Sequence, residues 1–193
     1  MCEFLRSSLG KARYLVDAFM RETRGLAAVE FALVFPFLLL LYLGSVELTH
    51  GLTAKRKMSQ VAASVGDLVS QYRTLDCNVV DDIFSASTAI MTPFETTSLV
   101  ISVAGVEIDE DGDATVDWSR TNAGGTANAL LNEVPDSLKV ANSYLVVAKT
   151  DYTHQTLFSA FSQSHFGQTS FAMSDILYLR PRIGSEITYS AGC

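Results

Sequence analysis

The sequence predicts an α+β fold in which a long N-terminal membrane-spanning helix continues into an antiparallel-sheet domain. Three observations predict it. Residues 26–46 form an apolar run of 21 residues with one ionisable side chain, Glu30. Apolar side chains then recur at three- and four-residue steps as far as Tyr72, the period of a helix that buries one face. After Pro93 the character changes to β-branched alternation, the period of a half-buried strand.

Composition narrows the function classes. The chain has 193 residues, 48% of them hydrophobic and 18% charged, and a mean hydropathy of +0.23. A charged share below the usual value of about 25% places apolar mass outside an ordinary core. The length suits one or two modest domains, and the apolar composition argues against a fully disordered chain. A net charge of −7 argues against nucleic acid as a partner, because phosphate binding needs clustered Lys and Arg. The charge is divided along the chain: residues 1–25 hold five basic and three acidic side chains, the remainder nine basic and 18 acidic. A short basic head, net +2, therefore precedes a body of net −9.

Each element follows in order. At about 1.5 Å per residue, the run 26–46 spans a hydrocarbon layer of about 30 Å. It is too long for the apolar part of a secretory signal peptide and is followed by Glu47, Leu48, Thr49 and His50, with no small-residue cleavage site. Lys and Arg nearly balance across it; Arg21 and Arg24 lie closest and place the N-terminus in the cytoplasm and the body outside. Pro36 is tolerated with a kink. Gly44 and Ser45 offer close helix approach, an ordinary feature of membrane helices.

Leu48, Leu52, Met58, Val61, Ala62, Val65, Leu68, Val69 and Tyr72 extend the helix to about residue 73, with the stripe packed against its own domain. Lys55, Arg56 and Lys57 read either as headgroup neighbours or as a solvated face. Asp76, Cys77 and Asn78 end this helix, and residues 79–91 form a second one, stopped before Pro93. Leu99, Ile101, Val103, Val106 and Ile108 read as a strand, Gly112 and Asp113 as a turn, and Thr115, Val116 and Trp118 as the returning strand of a hairpin. Residues 121–143 contain a loop at Asn122 to Gly125 and a short helical turn within 128–134. Residues 144–152 and 171–180 are further strands, and 155–168 is a Phe-, Ser- and Gln-rich surface excursion. The domain plan is 1–25 head, 26–46 span, 47–75 helix extension and 76–193 extracytoplasmic α+β domain.

The residues that carry chemistry are few. Asp109, Glu110, Asp111, Gly112 and Asp113 lack the EF-hand pattern: glycine falls at position four and Arg120 at twelve, where position six and a carboxylate are required. An acidic hairpin turn is the reading, over an irregular divalent-ion site. Asp151 with His154, or Ser164 with His165, can be drawn as catalytic pairs, but nothing fixes a nucleophile, base and oxyanion donor together, and no zinc, nucleophile-elbow or phosphate-loop motif is present. The expectation is no enzyme, no cofactor, no metal and no small-molecule substrate. With the body outside the cytoplasm, Cys77 and Cys193 can pair as a disulfide fastening the C-terminus to the helix end; two unpaired thiols is the competing reading.

Glu30 requires an account, since a carboxylate in a membrane helix costs roughly 2.5–3.5 kcal/mol. Gly25, Leu26, Ala27, Ala28, Val29, Glu30 and Phe31 give G-x-x-x-x-E-F at a polar-to-apolar junction. This resembles the processing site of type IV prepilins and pseudopilins, which implies a cut after Gly25 by a prepilin peptidase. Leu26 is then the first mature residue, Glu30 the fifth, and Phe31 follows it. The wider run 24–52, with Tyr178, Leu179, Arg180, Pro181 and Arg182 near the C-terminus, is similar to TadE-like proteins of the bacterial tight-adherence (Flp) pilus machinery. The resemblance implies a pilin-like fold, an inner-membrane location with the domain in the periplasm, and a pseudopilin role alongside other pilin-like or pilus-assembly subunits. The competing function is an unprocessed single-pass anchor whose extracytoplasmic domain binds a partner. The head, longer than a minimal leader, also reads as an amphipathic membrane-surface segment.

Overall fold

The structure is a computed structural model that describes residues 25–124, 130, 134–156 and 170–190. A long apolar helix is followed by an antiparallel sheet, an α+β arrangement. Contacts divide the chain into two compact units, Met1–Leu48 and Thr49–Cys193.

The first helix, α1, runs Leu26–Ser70 with Pro36 inside it. In its first unit the large side chains face outward all around: Leu33 is 70% exposed, Phe37 78% and Leu41 72%. Phe31 and Phe35, one turn apart, hold their rings 5.4 Å apart, and the Ser45 hydroxyl donates to the Tyr42 carbonyl.

In the second unit α1 buries Ala54, Met58, Val61, Ala62, Val65 and Val69. Each large apolar side chain so buried contributes roughly 1.5–3 kcal/mol. Leu52 and Tyr72, expected on the buried stripe, are exposed; Ala54 takes the inward position. The helix meets the sheet most closely at Gly66, where a Cβ would overlap Leu179 Cδ1 and lie 3.3 Å from the Ala148 Cβ. The stripe did predict packing against the chain's own domain, and that is what forms.

The helix stops at Ser70, three residues early. Gln71 and Tyr72 donate to the Leu68 and Val69 carbonyls, tightening the last turn. A short strand β1, Thr74–Asp76, follows with Leu75 fully buried. Asp76 therefore ends nothing: it is the N-cap of α2, Cys77–Thr88, its carboxylate accepting from the Val79 N–H at 2.9 Å. A free N–H at the helix start is thereby satisfied. A 3-10 turn, Ala89–Met91, completes the segment.

The hairpin forms as expected, with β2 at Val100–Ile108 and β3 at Ala114–Thr121. Gly112 turns the chain at φ +87°, and the Asp109 carboxylate accepts from the Asp111 and Asp113 N–H groups. Strand β4 covers Ser143–Gln155, so Gln155 belongs to the sheet, and β5 covers Ser170–Leu179. The order is β3-β2-β4-β5, all antiparallel. A separate parallel pair joins β1 to β6, Thr188–Ser190; neither strand is predicted by the sequence.

The pleat sorts the sheet's side chains into two cores. Ile101, Val103, Tyr144, Val146, Ala148 and Tyr152 join the α1 and α2 side chains on one face. Ala104, Val106, Ile108, Leu145 and Val147 pack with Leu130, Val134 and Leu138 on the other. A bulge decides where Trp118 goes. Gly105 pairs with Trp118 but Val106 with Val116, leaving Asp117 extra, so Trp118 and Val116 pack in opposite cores. Most of 125–133 and the excursion 157–169 lie outside the described residues.

Candidate processing and assembly segment

Gly25 sits in a 3-10 turn directly ahead of α1. It is exposed, and among the described residues a Cβ placed on it would meet nothing within 4 Å. Leu26 is the first helical residue, and no acidic residue lies in the first turn. Glu30 and Phe31 stand one turn further on, both exposed, Phe31 at 61%. Four residues separate Leu26 from Glu30, the spacing that stacks two positions on one helix face. An α-amino group created at Leu26 would sit at the positive end of the helix dipole, within one turn of a carboxylate. Proline at 36 leaves the Ala32 carbonyl without its usual intrahelical donor.

A second constellation closes the far end of α1. The Arg182 N–H donates to the Ser70 carbonyl at 2.8 Å, one of the carbonyls a helix terminus leaves open. The Arg182 guanidinium bonds the Asp67 carboxylate, and Asp67 also accepts from Gln71. The R-P-R run is legible in the sequence; Asp67, its partner, lies 115 positions away and carries no local signal.

Beside it lies a buried polar network. Trp118 Nε1 donates to the Tyr144 hydroxyl at 2.8 Å and to the Ile187 carbonyl at 3.1 Å. The Tyr144 hydroxyl donates to Asp117 at 3.0 Å, and Tyr189 stacks on the Trp118 ring. Burial, with the Asp117 carboxylate beside it, holds the Tyr144 hydroxyl well above the usual phenol range. A side chain at Gly105 would overlap both Tyr144 and Trp118, so glycine is required there.

Lys55 and Lys57 each reach a backbone carbonyl of their own domain. Their Nζ atoms donate to the Ser174 and Ile90 carbonyls at 2.7 and 2.9 Å. His154 is buried beside Phe94 and Tyr152, whereas Ser164 and His165 lie outside the described residues. Among the described residues no group of three or more His, Cys, Asp or Glu side chains is placed to hold a metal. Cys77 is buried, opens α2 and is disulfide-bonded; Cys193 lies outside the described residues.

The helix geometry and the comparison with protein families coincide on one segment. The family model described as TadE-like protein matches residues 25–66. The segment is similar to the TadE-like family. The match begins at Gly25, contains Leu26, Glu30 and Phe31, and ends at the glycine where α1 touches the sheet. The sheet lies outside the match. Comparison with curated proteins and with solved structures gives no match. Among the described residues, one helix is long and apolar enough to cross a membrane.

Proposed function

We propose that this chain is a non-catalytic pseudopilin-like subunit that assists assembly of an adhesive tight-adherence pilus, and that a prepilin peptidase cuts it after Gly25. The observation that carries the reading is the apolar stretch 26–46 of α1, its large side chains mostly exposed, with one carboxylate, Glu30, one turn after the exposed Gly25. The TadE-like match over the same residues supports it.

In this reading residues 26–46 cross the inner membrane, with the head in the cytoplasm and the sheet domain in the periplasm. Cleavage leaves an ammonium group on Leu26. A Glu30 carboxylate from a neighbouring subunit pairs with it in a setting of low dielectric, where an unpaired charge is strongly disfavoured. The pair fixes the axial register between packed helices, and the exposed rings of Phe31 and Phe35 fill the space between them. Cys77 pairs with Cys193, supported by the β1–β6 ladder, which sets Asp76 beside Ser190. The domain presents an acidic surface, to which a basic patch on a machinery component is complementary.

The deciding experiment is N-terminal sequencing of the membrane-extracted protein, expressed with and without a prepilin peptidase. A start at Leu26 that depends on the peptidase is expected; a start at Met1 in both cases overturns the processing reading in favour of an uncut anchor. Glu30→Ala is expected to abolish pilus assembly with the domain still folded, and normal piliation with Gly25→Leu would refute the role of the cut.

A further inference from the structure

We propose that the Lys55 ammonium guards one edge of the four-stranded sheet, keeping β5 from adding a strand of a second copy of this chain. All the parts lie in the unit Thr49–Cys193. An edge strand carries a row of unpaired N–H and C=O groups that templates further pairing, and folded proteins blunt it with bulges, prolines or charges. The two edges of this sheet, β3 and β5, differ in that respect. Strand β3 has the bulge at Asp117. Strand β5, Ser170–Leu179, pairs with β4 along its whole length without a register shift and contains no proline, no lysine and one charge, Asp175.

The register fixes which backbone groups of β5 face outward. Both the N–H and the carbonyl of Ile101 bond to Asn122, on the β3 side. Backbone direction alternates along a strand, so Val100 and Ser102 face β4, and their partners Asp151 and Lys149 face back. Thr150 and Tyr152 then face β5, where they meet Asp175 and Met173. Ala172, Ser174 and Ile176 are left with their N–H and C=O groups turned away from the sheet, and Ala172 and Ser174 are exposed. Among the described residues, the group that reaches this row is the Lys55 Nζ, which donates to the Ser174 carbonyl at 2.7 Å, in the middle of the three. Arg56, the next residue of α1, is exposed and makes no hydrogen bond to the strand.

A second β5 is the strand this edge fits. Antiparallel pairing centred on Ser174 sets Ser174 against its own counterpart and Ala172 against Ile176, each pair exchanging both backbone hydrogen bonds. The small side chain lies opposite the large one, and Asp175 lies opposite Met173, so no like charges stand directly across the strands. The Ser174 carbonyl is the central acceptor of that ladder. The Lys55 ammonium occupies it and sets a charge where the incoming strand would lie, and burying that charge without a partner is strongly unfavourable.

The test measures self-association of the full detergent-solubilised chain by sedimentation, together with hydrogen exchange at Ala172, Ser174 and Ile176. Lys55→Met removes the ammonium and keeps an unbranched side chain. Lys57→Met is the matched control, since Lys57 donates to the Ile90 carbonyl in the 3-10 turn. Lys55→Met is expected to self-associate at least about tenfold more tightly than the parent, the factor carried by one hydrogen bond to a charged group, and to slow exchange of the outward N–H groups as it associates. Adding Ser174→Pro removes an outward N–H and leaves the β4 ladder whole, so it is expected to return Lys55→Met to the parent's association. Ala172→Pro does the same at the neighbouring rung should the first proline unfold the domain. Lys55→Met associating no more tightly than Lys57→Met overturns the guard. Association that survives a folded proline variant, or that leaves exchange at these positions unchanged, puts the contact elsewhere and overturns it as well.

Discussion

Two glycines on one helix isolate what the α1–sheet contact contributes. Gly51 and Gly66 both lie inside α1, so alanine at either gains about 1 kcal/mol of helix propensity. Their surroundings differ. A Cβ at Gly51 meets nothing within 4 Å, whereas a Cβ at Gly66 overlaps Leu179 Cδ1 and lies 3.3 Å from Ala148 Cβ. The leucine methyl can swing aside; Ala148 belongs to the central strand β4, hydrogen-bonded on both edges, and cannot. Adding a methyl to a filled core costs about 1–3 kcal/mol. Gly66→Ala is therefore expected to range from neutral to about 2 kcal/mol destabilising after the propensity gain. Gly51→Ala is expected to stabilise by about 1 kcal/mol. Urea unfolding of the detergent-solubilised chain, followed by Trp118 fluorescence, measures both, and thermal midpoints move by about 2–4 °C per kcal/mol at this size. A Gly66→Ala protein stabilised as much as Gly51→Ala would refute the close approach.

Three further outcomes follow from the same contacts. Arg182→Ala removes an exposed ion pair at a helix C-terminus, so a loss of about 0.3–1 kcal/mol in urea is expected, smaller in high salt. Because the folded-state pKa of Tyr144 is raised above its unfolded value of 10.0, its contribution is complete below that value and is lost as pH rises beyond it. Tyr144→Phe should thus flatten the alkaline decline in stability measured from about pH 9 to 11. Cys77→Ser removes a disulfide from a buried helix start and should lower stability by about 2–5 kcal/mol under oxidising conditions; identical melts with and without reductant in the parent would contradict it.

The long helix is legible because its signal is dense: an apolar run, then Met58, Val61, Val65 and Val69 at helical steps. Strands β2, β3, β4 and β5 are legible from alternation between recognisable turns, and Glu30 because a charge inside an apolar run stands out. Other features leave no such trace. Strands β1 and β6 are three residues each, too short for a period, and their pairing joins distant parts of the chain. Asp76 looks like a terminator in sequence and acts as a helix N-cap, because the same short carboxylate suits both. The bulge at Asp117 depends on register, which alternation alone leaves open. Asn122, read as a loop residue, exchanges backbone and side-chain hydrogen bonds with Ile101 and Leu99, its amide standing in for one more rung of the ladder. The processing junction is legible as a motif, while Asp67 and Arg182 are a pair only once the fold brings them together.

The ties between the two ends of the domain also fix the order in which it can mature. Thr74 pairs with Thr188, Ser70 with Arg182 and Trp118 with Ile187. A chain emerging from the ribosome can wind α1 and α2 and close the β2–β3 hairpin early, since these contacts are local. Strand β1 and the end of α1 must wait until residues 182–190 appear. For that interval the chain has secondary structure without its last fastenings, a loosely held state exposed to proteases. Completion is then a single late event that reads whether the whole domain has arrived.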